Sequence, residues 1–233
     1  MVLIEARKRQ IENEAIRLRW EIWDRRADFW PGRQPHPLEV LDPQLAARVL
    51  GIELEYFEEL SFNIPQQKFE TAGLLDRAKG KIAIARRYGP EVALFTAAHE
   101  LGHLLLHKDK VVLHRDMPIG GLEQVPADPI EREANYFAGI FLMPTEFLTK
   151  VFKARFGATP FIFDEAAAHF LRPDAIASLL HPHPGSRGRS VALASARSYA
   201  GRAFGNSLAQ FFKVSVASMA IRLRDLELVQ EYP

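Results

Sequence analysis

One stretch of the sequence, residues 91–107, is almost entirely apolar yet carries two histidines and a glutamate in its middle. It follows Gly89-Pro90, a typical start for a helix, and is long enough for about five helical turns. Apolar residues occupy nearly all sides of that helix, which predicts that it is buried. Buried histidine and glutamate side chains are costly without partners, so the fold must provide a polar or metal site for them.

The polar residues of this helix are spaced for metal binding. His99 and His103 lie four residues apart on one face, and Glu100 follows the first of them in a His-Glu-x-x-His pattern. Imidazole nitrogens are good zinc ligands, and an adjacent carboxylate can take a proton from the water that zinc activates. We therefore predict that His99 and His103 bind Zn²⁺ and that Glu100 is the general base of a hydrolase. The alternative, a histidine pair on a solvated helix face, is disfavoured by the apolar surroundings.

A catalytic zinc site needs a third protein ligand, and a second predicted helix over residues 128–141 supplies the candidates. Glu131 shares one face of it with small residues and with Asn135, so Glu131 is the preferred ligand. Asn135 is placed to hydrogen-bond a ligand histidine. Two alternatives stay open. In the first, Glu131 is not a ligand and completes a capping box with Asp128. In the second, Glu133, which would otherwise be a solvated charge, is the ligand in place of Glu131.

Other polar residues are less clearly assigned. His114 is a third candidate for the remaining ligand. His107 lies one turn beyond His103, too far along the axis to join both other histidines easily, and we expect it to cap the C-terminal end of its helix. Sequence spacing does not select the oxyanion donor among Tyr88, Tyr136, His169, His181 and His183.

Composition narrows the class of protein. The 233 residues include no cysteine, which excludes disulfides, thiolate zinc sites and a cysteine nucleophile. A net charge of +1 indicates no general affinity for nucleic acid or membrane. The N-terminus turns charged after four residues, and no apolar run approaches the roughly 18 residues of a membrane span. We expect a cytoplasmic protein.

Periodicity and turn residues predict an α+β fold that is mostly helical. The expected elements are a long amphipathic helix over residues 3–28, a short helix after Asp42-Pro43, a β-hairpin from residues 71–76 and 81–86, and helices at 144–156, 164–171, 174–180, 191–204 and 207–229. Residues 181–190 have the composition of a loop or linker. We divide the chain into a catalytic domain with a small β-sheet at 1–156 and a helical region at 157–233.

The two motifs together resemble a known family. The sequence from His99 to His107, HELGHLLLH, followed by EREANYFAGIFLMP from Glu131 to Pro144, is similar to the ImmA/IrrE family of bacterial and phage metallo-endopeptidases. The resemblance covers residues 45–144. It implies a zincin-like, gluzincin-type site with Glu131 as third ligand, and a protein substrate that is often a helix-turn-helix transcriptional repressor.

The end of the chain suggests a second interpretation. Residues 207–229 resemble the helix-turn-helix-like segment that follows the peptidase part in many members, with Ser215 as N-cap of the second helix. The alternative function is a DNA-binding transcriptional regulator or antitoxin-like protein with a structural or idle zinc site. Residues 216–220 lack the polar side chains that read bases, and Arg222 and Arg224 come late. We therefore expect the segment to act through protein contacts, and Glu100 favours the enzyme.

Overall fold

A computed structural model describes residues 3–64, 67–108, 112–115 and 128–230. The helices are α1 (Glu5–Asp24), α2 (Arg26–Phe29), α3 (Pro43–Val49), α4 (Pro90–Leu106), α5 (Pro129–Leu142), α6 (Thr145–Phe156), α7 (Glu165–Leu171), α8 (Ile176–Leu180), α9 (Gly188–Ser195), α10 (Leu208–Phe211) and α11 (Val216–Asp225), with a 3-10 helix at Pro37–Leu41. The strands are β1 (Glu53–Phe57), β2 (Ser61–Ile64), β3 (Gln67–Glu70), β4 (Gly73–Asp76), β5 (Lys81–Ala85), β6 (Val112–Arg115), β7 (Ser198–Tyr199) and β8 (Arg202–Ala203). The predicted fold class, α+β and mostly helical, is confirmed. In these ranges no helix combines the length and hydropathy that a bilayer crossing requires.

The chain divides into two compact units, which for the described residues means 3–142 and 143–230. The sequence placed its domain boundary after residue 156, whereas α6 belongs to the second unit. The reason is the aromatic ring of Phe156, whose centroid lies 5.7 Å from that of Tyr199 and 5.6 Å from that of Phe204. The division of the chain by function, into a catalytic and a C-terminal part, stays a prediction.

The first unit contains a four-stranded mixed sheet with the strand order β1-β5-β4-β6. β1 runs parallel to β5, and β4 runs antiparallel to both β5 and β6. The predicted hairpin is confirmed, with Leu75 of β4 opposite Ile82 of β5. Leu75, Ile82 and Ile84 are buried, as the alternation of apolar residues predicted. β2 and β3 form a separate hairpin.

α1 covers α5 with the apolar stripe that the sequence predicted. Ile11, Ala15, Leu18 and Ile22, which recur at helical spacing, are buried. Ile4, which continues that spacing toward the N-terminus, is 72% exposed because it precedes the first turn of the helix. Arg19 of α1 donates a hydrogen bond to the carbonyl oxygen of Ile140 at 2.9 Å, which fixes the helix pair where the apolar stripe ends.

α4 packs on α5 through residues without bulky side chains. A Cβ atom at Gly102 of α4 would lie 3.2 Å from the Cα of Ala134 and 3.1 Å from Cδ1 of Phe137, both in α5. These distances are shorter than ordinary van der Waals contact, so the backbones approach closely only because residue 102 is glycine. The small residues that the sequence placed on this face of α5 therefore meet α4, as predicted.

The second unit departs from the sequence prediction at two places. α9 occupies part of the run predicted as loop, and the predicted helix over residues 191–204 ends at Ser195 and is followed by the β7–β8 hairpin. Ala200 and Gly201, both with positive φ, form the tip of that hairpin, which helix periodicity alone did not reveal. Ser207 and Ser215 cap α10 and α11, and both of these helices pack on α9.

We expect Gly102→Ala to be less stable than the matched variant Gly139→Ala. Both replace a helical glycine and so gain up to about 1 kcal/mol of helix propensity. At Gly102 the new methyl group meets α5, whereas at Gly139 nothing lies within 4 Å of it. Overpacking typically costs about 1–3 kcal/mol, so chemical denaturation should separate the two variants by that amount. Equal free energies of unfolding would show that α4 and α5 are not in close contact.

Candidate metal centre

The polar side chains of α4 are enclosed inside the first unit. His99, Glu100 and His103 are 0%, 1% and 1% exposed, respectively. The helix carries them inward because its neighbouring positions, among them Ala97, Ala98 and Leu101, are buried apolar residues. The histidine pair is therefore not on a solvated face, and its burial agrees with the prediction that the two side chains need polar or metal partners.

Three electron-donating groups converge at one point. The Nε2 atoms of His99 and His103 are 2.8 Å apart. One carboxylate oxygen of Glu131 lies 3.2 Å from Nε2 of His99, and the other lies 3.1 Å from Nε2 of His103. Ligand atoms of all three residues lie within 4.8 Å of one another. The structure thus brings together the three residues that the sequence proposed as ligands; that they bind a metal stays a prediction.

Glu131 and Glu133 have different surroundings although they share α5. The side chain of Glu131 faces the two histidines, while Asp128 accepts a hydrogen bond from the backbone N–H of Ile130. The side chain of Glu133 is only 16% exposed and forms an ion pair with Arg7, so it is not the solvated charge of the sequence interpretation. For His114, in β6, the side chain lies outside the described part of the structure.

The carboxylate of Glu131 is held in its ionised form. Burial raises its pKa, but with protons on His103 and His99, in the place that a metal cation would take, hydrogen bonds and charge from these rings lower it more, so the pKa lies well below the usual range of a glutamate. An ionised carboxylate is the form that coordinates a cation. A side chain that is 26% exposed also leaves this corner of the site open to solvent.

The outer nitrogens of both histidines have defined partners. Nδ1 of His99 lies 2.9 Å from Oδ1 of Asn135, the contact that the sequence predicted for Asn135. Because an amide oxygen only accepts, Nδ1 of His99 donates to it, and the lone pair of Nε2 faces Glu131. Nδ1 of His103 contacts Nδ1 of His107 at 2.9 Å.

The donor set fits a zinc ion. Two imidazole nitrogens and a carboxylate are a ligand set of catalytic zinc sites, and they leave a fourth position for water or substrate. With ligand bonds of about 2.0–2.1 Å, tetrahedral ligand atoms stand roughly 3.3 Å apart, close to the observed 2.8–3.2 Å. The four electron-rich atoms of these three side chains repel each other at such distances unless protons or a metal cation lie among them.

Glu100 lies directly against the sheet. A Cβ atom at Gly73, the first residue of β4, would be 2.7 Å from Oε1 of Glu100 and 2.7 Å from Cγ2 of Thr96. Only glycine leaves room for the carboxylate at this position. The Glu100 carboxylate therefore lies buried against β4; that it is the general base of the site stays a prediction.

The C-terminal end of α4 is capped by Arg77, which the sequence analysis missed. Arg77, in the turn between β4 and β5, donates hydrogen bonds to the carbonyl oxygens of Leu104 at 2.9 Å and His107 at 3.0 Å, and to that of His103. The role expected of the His107 side chain is therefore wrong. The His107 side chain turns inward and is only 7% exposed, and its ring contacts His103 and Glu133.

The His107 ring occupies a secluded position behind His103. Burial lowers its pKa, an effect that the hydrogen bond donated by His107 to Glu133 partly offsets. On α5, Tyr136, one of the candidate oxyanion donors, donates a hydrogen bond to Glu12 of α1 at 2.8 Å and is thus engaged elsewhere in this structure.

The sequence analysis missed the ion pair between Arg7 and Glu133. These residues are 126 positions apart, so no local pattern in the sequence links them.

Comparison with known proteins agrees with this geometry. A family model described as the IrrE N-terminal-like domain, of the peptidase M78 family, matches residues 54–171. The matched range runs from β1 to α7 and includes both helices that supply the converging side chains. Among curated proteins no match is found. Since the match spans half of the chain, the protein belongs to the IrrE N-terminal-like (peptidase M78) family of metallopeptidases.

Proposed function

We propose that the protein is a zinc-dependent endopeptidase that cleaves another protein. The observation that carries the proposal is the meeting of His99, His103 and Glu131 around one point, with Glu100 buried beside them. A structural or idle zinc site has no need of a carboxylate at position 100, whereas a hydrolase requires a base there. Zinc supplies, when bound, a water of lowered pKa and polarisation of the carbonyl to be attacked.

The side chains divide the remaining work between them. His99 and His103 present neutral nitrogens, and Glu131 adds one negative charge that partly offsets the charge of the ion. Glu100 takes a proton from the attacking water and returns it to the leaving nitrogen when the peptide bond breaks. Because residue 73 is glycine, the Glu100 carboxylate has room to lie close to β4.

The substrate that we propose is a helix-turn-helix transcriptional repressor. Resemblance to the ImmA/IrrE family motivates this choice, because such repressors are frequent substrates there. Co-expression with the helix-turn-helix protein encoded nearby, followed by mass analysis of fragments, tests it. A repressor that stays intact in the presence of the active, zinc-loaded enzyme would exclude that protein as the substrate.

We expect one zinc ion per chain, held by His99, His103 and Glu131. His103→Ala and Glu131→Gln should each lose far more affinity than the roughly 10–100-fold that outer residues of a metal site typically contribute. Glu133→Gln is the comparison on the same helix; it should lose at most that roughly 10–100-fold, because Glu133 is not a ligand and the amide oxygen of glutamine can still accept from His107. Metal analysis after dialysis against competing chelators measures the difference. Loss of zinc in Glu133→Gln, with zinc retained in Glu131→Gln, would make Glu133 the third ligand.

Glu100→Gln should retain zinc and fold but lose cleavage by about 10²–10⁴-fold, since an amide cannot accept the proton of the water. Single-turnover cleavage of the repressor, with metal content and circular dichroism of the same sample, measures this. Full activity in Glu100→Gln would rule out the proposed base.

Gly73→Ala tests the same base from the other side of the contact. Its methyl group would lie 2.7 Å from Oε1 of Glu100 and should displace the carboxylate while leaving the three ligands in place. We expect the same pattern as for Glu100→Gln: zinc retained and cleavage reduced. Unchanged cleavage in Gly73→Ala would show that the position of the Glu100 carboxylate does not limit the reaction.

We also propose that residues 207–229 act through protein contacts and not by reading DNA. Arg222, one of the two arginines of α11, is 2% exposed and donates to the carbonyl oxygen of Met143 and to Oγ1 of Thr145. Arg189 is 4% exposed and donates to the carbonyl oxygens of Leu179, Leu180 and Gln230. Neither side chain is available to a phosphate group.

Accordingly, the full-length protein should select no sequence from a pool of random DNA duplexes in physiological salt. Specific DNA-binding proteins reach dissociation constants of about 10⁻⁸–10⁻¹¹ M under such conditions, and fluorescence anisotropy detects them easily. Enrichment of one duplex sequence, bound in that range, would support the alternative function as a transcriptional regulator.

A further inference from the structure

A line of hydrogen bonds leads away from the candidate zinc site through the interior of the first unit. Nδ1 of His103 lies 2.9 Å from Nδ1 of His107, and Nε2 of His107 lies 3.0 Å from Oε2 of Glu133. The same oxygen of Glu133 accepts a hydrogen bond from Arg7. The line therefore joins α4, α5 and α1 and ends at a guanidinium group.

The chemistry of each group fixes the direction of the hydrogen bonds. If the lone pair of Nε2 of His103 is to bind a metal, the ring carries its proton on Nδ1 and donates it to Nδ1 of His107. His107 then accepts at Nδ1, so its own proton lies on Nε2 and is donated to Glu133. Glu133 accepts from both sides, from His107 and from Arg7. All four groups are satisfied by one arrangement.

We infer that His107, Glu133 and Arg7 are positioning residues that hold His103 in the tautomer and orientation required of a metal ligand. The inference rests on the proposed zinc site. His99 has a direct amide partner, Asn135, at 2.9 Å, so the two ligand histidines are oriented by different means. A carboxylate at the end of the His107 bond also makes the His103 nitrogen more basic, and hence a stronger ligand.

Burial limits the alternative hydrogen-bond partners of these side chains. The side chains of His107 and Glu133 are 7% and 16% exposed, so water has little access as a substitute partner. Arg7 is 30% exposed, and its permanent charge keeps the Glu133 carboxylate an acceptor on both sides. Loss of His107 would leave Nδ1 of His103 without its acceptor in a dry site, where an unpaired donor is costly.

Nitrogen-15 NMR of the full-length protein tests the hydrogen bond directly. An N–H···N hydrogen bond transmits a scalar coupling between its two nitrogens, so a coupling is expected between Nδ1 of His103 and Nδ1 of His107. In the zinc-loaded protein the proton should be attached to Nδ1 of His103. Absence of the coupling both with and without zinc, or a proton on Nδ1 of His107 in the loaded protein, would overturn the inference.

Zinc affinity tests the consequence of the hydrogen bond. His107→Leu removes the acceptor, and its dissociation constant for zinc should rise by about 10–100-fold. His107→Asn places an amide oxygen near the former Nδ1 and should restore affinity to within about 10-fold of the wild type. Leu18→Ala, a buried change in α1, is the control for general destabilisation and should lower the melting temperature without changing zinc affinity.

The outcomes separate this inference from the proposed function. If His99→Ala binds zinc as tightly as the wild type, the proposed site is wrong, and the NMR coupling alone decides whether His107 orients His103. If the wild type binds zinc through His99 and His103 but His107→Leu binds it equally tightly, the site stands and the positioning role is wrong. A misfolded His107→Leu leaves the NMR measurement on the wild-type protein to decide.

Discussion

The mutual repulsion of three electron-rich groups is the constraint on which the rest of the first unit depends. Two imidazole nitrogens and an ionised carboxylate face one another at 2.8–3.2 Å, and they would separate without protons or a metal cation between them. The fold must therefore hold the site together from outside. It does so with the close contact of α4 and α5 at Gly102, and with separate partners for each histidine ring.

Two residues outside the two helices, Arg77 and Gly73, supply the rest of that support. Arg77 satisfies carbonyl groups at the C-terminal end of α4, at and after the second histidine, which opposes fraying of the last turn. On the opposite side, the absence of a side chain at Gly73 allows β4 to pack close to Glu100. A zinc ion would add its own stabilisation, because it binds the folded arrangement and has no comparable site in the unfolded chain.

The features that were predicted correctly from the sequence are those that depend on the spacing of residues within one helix or strand. His99 and His103 follow from the four-residue period of one helix, and Asn135 follows from the same period in α5. Burial followed from the apolar residues around them, and the β4–β5 hairpin from the alternation at Ile82 and Ile84. What sequence analysis missed depends on contacts between distant segments. Nothing near Arg7 indicates that it will meet Glu133, and nothing near Arg77 indicates that it will cap a helix.

The second unit shows why charge counts in a sequence are a poor guide to a binding surface. Arg189 and Arg222 both count toward the positive charge of this part of the sequence, yet each is buried and bonded to backbone oxygens, with the Arg189 guanidinium 5.2 Å from the ring centre of Phe163. Arginine suits this task because its planar fork can satisfy several carbonyl groups at once. The same property that lets arginine bind phosphates thus lets it close helix ends inside a protein. Only the burial of the side chain distinguishes the two uses, and Arg189 is buried in α9, a helix that the loop-like composition of residues 181–190 did not predict.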